Sequence, residues 1–579
     1  MIKAMKDTTL FVAAMVGSLV LTAGCARLGG TRADKVISIP EPLVRPAAVP
    51  EGAYTYTTNP AGQATITDFN RNYSGELSIT NTLGGCPVTN IRKDSFFRCT
   101  NLTTVMIPDS VTNIAQSAFM ECAGLTNATI GNGVTTIGQA AFSGCTRLTS
   151  VMIGNSVTNI ADRAFALCWN LDSVTIPASV AKIGNLAFAN CFALTNVTIP
   201  DRVTSIAHGA FSCCSHLTSV TIGNGVAHIG DEAFSPCTSL TGVAIPASVT
   251  SIGTNAFGDC TSLTAITVDE RNSAYSSVDG VLFDKRRTTL IKYPGGKAGT
   301  YTILDGVTRI GDAAFWNCTS LTNVTIGNTV TSIGNAAFSG CTGLTNVTIS
   351  DRVTSIGDVA FVNCGRLANV TLPASVTRIG IAPFSRCSKL TAITVNAANA
   401  YYSGADGILF NKAKTVLIQY PGGKTGNYTI ADSVTSIGDY AFSWCSSLTA
   451  ITVEPNNPSY GSKNGILFNK DLTALIQCPA GKIGSVTIPD SVTSIGDTAF
   501  DGCAGLTTVT IPGSVTTLGY SLFYCCTRLA GIYFQGNAPK MEFRGIERGT
   551  FNSATVFYLP GTTGWGSTYG GHPTAVWKK

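Results

Sequence analysis

Residues 102–124 read LTTVMIPDSVTNIAQSAFMECAG and residues 125–147 read LTNATIGNGVTTIGQAAFSGCTR. Copies of this phrase start at Leu102, Leu125, Leu148, Leu171, Leu194, Leu217, Leu240 and Leu263, always 23 residues apart. The spacing jumps to 58 at Leu321 and returns to 23 through Leu344, Leu367 and Leu390. Two further jumps of 58, to Leu448 and Leu506, precede a last copy at Leu529. Each 58 is one repeat plus 35 residues, so the register survives every interruption. Self-similarity at this period marks stacked units rather than one globule.

Within one copy the apolar positions are Leu102, Val105, Ile107, Val111, Ile114, Phe119 and Cys122. TVMI and VTNI alternate as strands do, and a PDS or GNG turn divides them. Beyond Ile114 the apolar residues Ala118, Phe119 and Cys122 fall at helical intervals, which predicts one short helical turn per repeat. A single copy cannot cover its own apolar side; stacked copies can. The expectation is a right-handed solenoid of short strands with rungs ~4.8 Å apart.

Composition agrees. Charged residues make up 12%, and 38 Lys+Arg against 33 Asp+Glu leave a net charge of +5, too mild and scattered for nucleic acid. The start, MIKAMKDTTLFVAAMVGSLVLTAGC, has Lys3 and Lys6 before an apolar run too short to span a bilayer, the pattern of a secretory signal over residues 1–25. Its end, LTAGC, resembles a bacterial lipobox with Cys25 as the lipidated residue; the alternative is an ordinary signal cleaved near Ala23. Residues 26–53, with Pro40, Pro42, Pro46 and Pro50, read as a stiff tether.

The copy LTSVTIGNGVAHIGDEAFSPCTS at residues 217–239 and its siblings resemble the BspA-type leucine-rich repeats of bacterial surface proteins. The resemblance covers residues 77–534, a leucine-rich repeat solenoid of short β-strands. It implies an N-terminal β-hairpin cap at 54–76 and a C-terminal cap at 535–579. It further implies a non-enzymatic role at the cell surface or outer membrane, through adhesion to an extracellular protein or polysaccharide, with the lipid anchor in the membrane. A structural envelope component and an accessory to glycan degradation are the alternatives.

Three related insertions, near 269–297, 396–424 and 454–482, each carry a turn at Gly280, Gly407 or Gly465 and a GVLF or GILF strand. They are expected to form β-hairpins that project from or lie along the solenoid. Insertions often gather on a binding face. Tyr275, Tyr401, Tyr402, Tyr460, Lys297, Lys424 and Lys482 are therefore the candidate binding surface, against the reading of the hairpin as a mere spacer. GGKT at 422–425 is not a phosphate loop, because Ile418 occupies the required glycine position and no helix follows. Trp565, Tyr569 and Trp577 near the end suit capping, with sugar binding as a lesser possibility.

Fifteen of the 20 cysteines share one repeat position, from Cys99 and Cys122 to Cys526. Equivalent side chains on stacked rungs point the same way, which argues against disulfides, and no Cys-x-x-Cys or Cys/His spacing suits a metal. They read as small core residues. His208, His216 and His228 occupy different repeat positions, so they define no common face. The sequence gives no ground for a catalytic group, a metal or a cofactor.

Overall fold

The computed structural model describes residues 49–541 and 554–578 and falls into two compact units, Met1–Lys297 and Ala298–Lys579. The signal, Cys25 and most of the tether lie outside the described residues. In the first unit Leu102–Ile107 pairs in parallel with Asn127–Ile130, Val105 on Ala128 and Ile107 on Ile130. The second strand of each rung is two residues long. Asn113–Ile114, Thr136–Ile137 and Asn159–Ile160 begin a parallel ladder that runs to Ser251–Ile252. Ile114 lies on Ile137, so one rung is one 23-residue repeat.

Stacking completes a core that no single rung owns. Leu102, Val105, Val111, Ile114, Phe119 and Cys122 are wholly buried, at roughly 1.5–3 kcal/mol for each large apolar side chain. The rings from Phe96 to Phe257 form one stack with centroids 4.6–5.7 Å apart and planes within 2–11°. Strands Tyr54–Thr58 and Ala64–Phe69 form an antiparallel pair, and the latter runs parallel to Cys86–Ile91. The first rung's edge is thereby covered, and edges left bare invite aggregation.

The expected helical turn is absent: among the described residues the only helix is the 3-10 turn Glu51–Ala53. In AQSAFMEC every second N–H leaves its own turn. Ser117, Phe119 and Glu121 donate to Gln139 O, Ala141 O and Ser143 O of the next rung at 2.7–2.8 Å. An eight-residue helix has a costly nucleus and little propagation, so bonding between rungs prevails. Left-handed backbone makes the corner: Ser117, Ala140, Arg163 and Leu186 share one repeat position with φ of 53–57°.

The insertions are also more than appended hairpins. Each lays down three antiparallel strands: Tyr275–Val278, Val281–Asp284 and Thr289–Lys292; Tyr402–Ala405, Ile408–Asn411 and Val416–Gln419; Tyr460–Lys463, Ile466–Asn469 and Ala474–Gln477. In the second unit the third strand is itself a rung, pairing in parallel with the next repeat, Leu417 on Ile437 and Leu475 on Ile495. The first turn is left-handed at two residues, Asp279 (φ 49°) and Gly280 (φ 76°), the geometry that Asp-Gly hairpins favour. A Cβ on Gly280 would stand 2.9 Å from Ala265 Cα, so the close approach also requires glycine.

Candidate functional site

The insertions end both ladders of the preceding rung, and the tyrosines singled out above do much of this. The Tyr275 hydroxyl accepts the Ile252 N–H at 2.9 Å, and the Tyr402 hydroxyl accepts that of Ile379 at 3.0 Å. Tyr460 bonds the backbone of Ile437 in the same way. Each hydroxyl stands where the next second strand would otherwise begin, and burial raises the pKa of all three. The first-strand ladder is met by backbone: Gly280, Gly407 and Gly465 carbonyls accept the N–H groups of Ile266, Ile393 and Ile451 at 2.7–2.9 Å.

The lysines clip the same turns down. Lys297 and Lys482 donate to Asp279 O at 2.5 Å and Asn464 O at 2.7 Å, and Lys424 pairs with Asp406 at 3.1 Å. Six of the seven candidate residues thus hold the insertions together, and they converge on no single site. Tyr401 alone points outward, 55% exposed.

Sequence reasoning missed the anchors of these insertions. Asn272, Asn399 and Asn457 are completely buried. Asn399 donates through Nδ2 to Pro373 O and Val376 O, each at 2.9 Å, and accepts the N–H groups of Tyr401 and Tyr402 at 2.8 Å. The signal was available, since asparagine recurs at one place in DERNSAY, NAANAYY and EPNNPSY.

The cysteine ladder proves to be polar as well as apolar. From Cys122 to Cys260 each thiol donates to the carbonyl of the Phe 26 residues earlier, at 3.0–3.4 Å. Burial pushes the Cys99 and Cys260 thiols up to about 12. Cys478, outside the ladder, is wholly buried, whereas Cys86, Cys213 and Cys525 are half-buried.

One departure from the repeat is not explained by stacking. The residue after the ladder cysteine is small in nearly every copy, such as Ala123, Thr146, Ser215 and Thr238. In two consecutive rungs it is Trp169 and Phe192, with ring centroids 6.4 Å apart. Trp169 is 46% exposed and nearby Leu167 42%. His216 lies beside them, its Nδ1 2.7 Å from Phe192 O.

A profile described as "BspA type Leucine rich repeat region (6 copies)" matches residues 70–195, 181–294, 300–406, 420–469 and 478–557. The chain belongs to the BspA-type leucine-rich repeat family. A leucine rich cell surface protein from Faecalibacterium prausnitzii A2-165 is 32% identical, with a TM-score of 0.50, over 71% of this chain and 96% of that one. A leucine-rich repeat protein from Bacteroides ovatus is 22% identical over 85% and 98% of the two chains, with a TM-score of 0.39. The pneumococcal vaccine antigen PcpA is 19% identical over 78% and 91%, with a TM-score of 0.41. No curated protein matches the sequence. Within this BspA-type array, no three His, Cys, Asp or Glu side chains among the described residues are grouped to hold a metal ion. No described helix is long and apolar enough to cross a membrane.

Proposed function

We infer that this BspA-type protein is a cell-surface binding module whose partner is an extracellular protein, engaged at the edge that carries Trp169 and Phe192. The exposed Trp169 supports this reading most directly, since large aromatic side chains dominate the energetics of protein interfaces. Membership of a repeat family that includes a cell surface protein supports the location. Adhesion would follow from many weak contacts along a rigid array, with this edge as the strong one. The anchor is assigned to a lipid on Cys25; incorporation of labelled palmitate, lost in Cys25→Ala, tests it.

The test of function is binding of the purified chain to an immobilised panel of extracellular proteins. Trp169→Ser and Phe192→Ser should lower affinity at least about tenfold with the thermal midpoint unchanged. Undiminished binding by both variants, or retention only on polysaccharide, would overturn the reading.

A further inference from the structure

In the second unit a cavity of about 500 Å³ opens beside the insertion at 396–424, within the size range of small-molecule sites. Ile356, Ile379 and Ile418 supply apolar wall, while Asp358, Arg378 and Asp439 bring charges of both signs. The cavity exists because an inserted rung lacks the turn that follows the second strand elsewhere. Only Ile418 and Gln419 separate Leu417 from Tyr420, where four residues separate Ile379 from Phe384. Pro421, Gly422 and Gly423 lie farther on, against the turn from Cys387 to Leu390, where a Cβ on Gly422 would stand 2.9 Å from Cys387 O. Ile379 is consequently half-buried, whereas Ile356 one rung earlier is 2% exposed.

The next insertion opens an equivalent gap and fills it. Tyr440 reaches across and its hydroxyl meets that of Tyr520 at 2.6 Å. Tyr440 occupies the repeat position of Ala382, and both have left-handed backbone, φ 59° and 49°. The gap beside Ala382 has no such filler, and it carries Arg378 where the other gap has Ser436.

We propose that this cavity binds a small zwitterion, a short peptide with both termini free and an aliphatic side chain. Arg378 takes the carboxylate, Asp358 and Asp439 take the ammonium, and the isoleucines take the side chain. Asp358 is already oriented, since its Oδ1 accepts the Ile381 N–H at 2.8 Å. The cavity is in a different unit from Trp169, so either proposal can fail without the other.

The probe is alanyl-leucyl-alanine, titrated calorimetrically into the purified full chain, with its N-acetylated, C-amidated form as control. Saturable binding of the free peptide alone is expected. Ala382→Tyr, which copies the filler of the neighbouring gap, should abolish it, and Arg378→Gln should weaken it about tenfold. Tyr440→Ala should create no second site. The proposal is overturned if the free peptide does not bind, if the blocked peptide binds equally, or if Arg378→Gln binds as the parent does. Arg378 is exposed, so that last arm does not depend on how Ala382→Tyr folds.

Discussion

The indole Nε1 of Trp444 donates to Asp501 Oδ1 at 3.0 Å, although 57 residues separate them. An inserted rung lies between, and its Cys478-Pro479-Ala480-Gly481 segment lacks the side chains that would normally stack there. Ser443 donates to the same carboxylate at 2.9 Å, and the Arg386 guanidinium lies 4.4 Å over the indole, spanning the preceding insertion. Where the repeat leaves a gap, single long side chains bridge it.

Asp501 makes that bridge dependent on pH. It is 4% exposed, and burial raises its pKa despite the opposing influence of Arg386 and its two donors. A carboxylate whose folded pKa is raised holds its proton more tightly in the folded state. Its contribution to stability is greatest below the unfolded value near 3.9 and is lost as pH rises through the folded one. Urea midpoints measured from pH 3 upward should show this decline, and Asp501→Asn should flatten it. Asp501→Ala, which strands two donors, should cost about 1–3 kcal/mol.

Tyr402→Phe removes the acceptor of the Ile379 N–H and a long donated bond to Thr377 O at 3.4 Å. Stability should fall by about 1–3 kcal/mol, and amide exchange should accelerate at Ile379 before its neighbours one rung earlier. Uniform exchange across these rungs would show that the hydroxyl is not what closes the ladder.

Asn399→Leu should be more damaging, because two buried carbonyls and two N–H groups lose their partner together. The expected cost is on the order of 3–5 kcal/mol. Limited proteolysis should then cut within 396–424 first, with the flanking repeats still intact on the gel.

Ladder thiols should label slowly. Iodoacetamide followed by peptide mass mapping should mark half-buried Cys86, Cys213 and Cys525 well before Cys145, which is wholly buried and bonded to Phe119 O at 3.2 Å. Labelling of Cys145 at the rate of Cys86 would contradict the fold. Cys145→Ser should be better tolerated than Cys145→Ala, since its hydroxyl still finds that carbonyl.

The period, the two strands and the Phe and Cys ladders were legible in the sequence because stacking repeats them every 23 residues. The helical reading of AQSAFMEC failed for a physical reason. Its spacing fits a helix, but the left-handed corner at Ser117 is occupied in the next three copies by Ala140, Arg163 and Leu186, and a glycine betrays it first at Gly209. The tyrosines of the insertions looked like surface because their neighbours are polar. Only the pairing shows that a ladder ends at Ile252 or Ile379 and that a hydroxyl must stand in for a strand. Trp169 and Phe192 were visible as letters, yet their meaning depended on seeing that one repeat position is otherwise small.

The ladder ends also divide the array as a mechanical object. Between ordinary rungs, coupling is backbone to backbone and repeats at every step, so loosening one rung exposes the next. At Ile379 an unfolding front meets a tyrosine hydroxyl and a sealed turn instead, and the buried cluster from Ile408 to Leu467 begins beyond it. The insertions of the second unit are therefore expected to act as firebreaks: loosening that opens one section should slow there before it reaches the next.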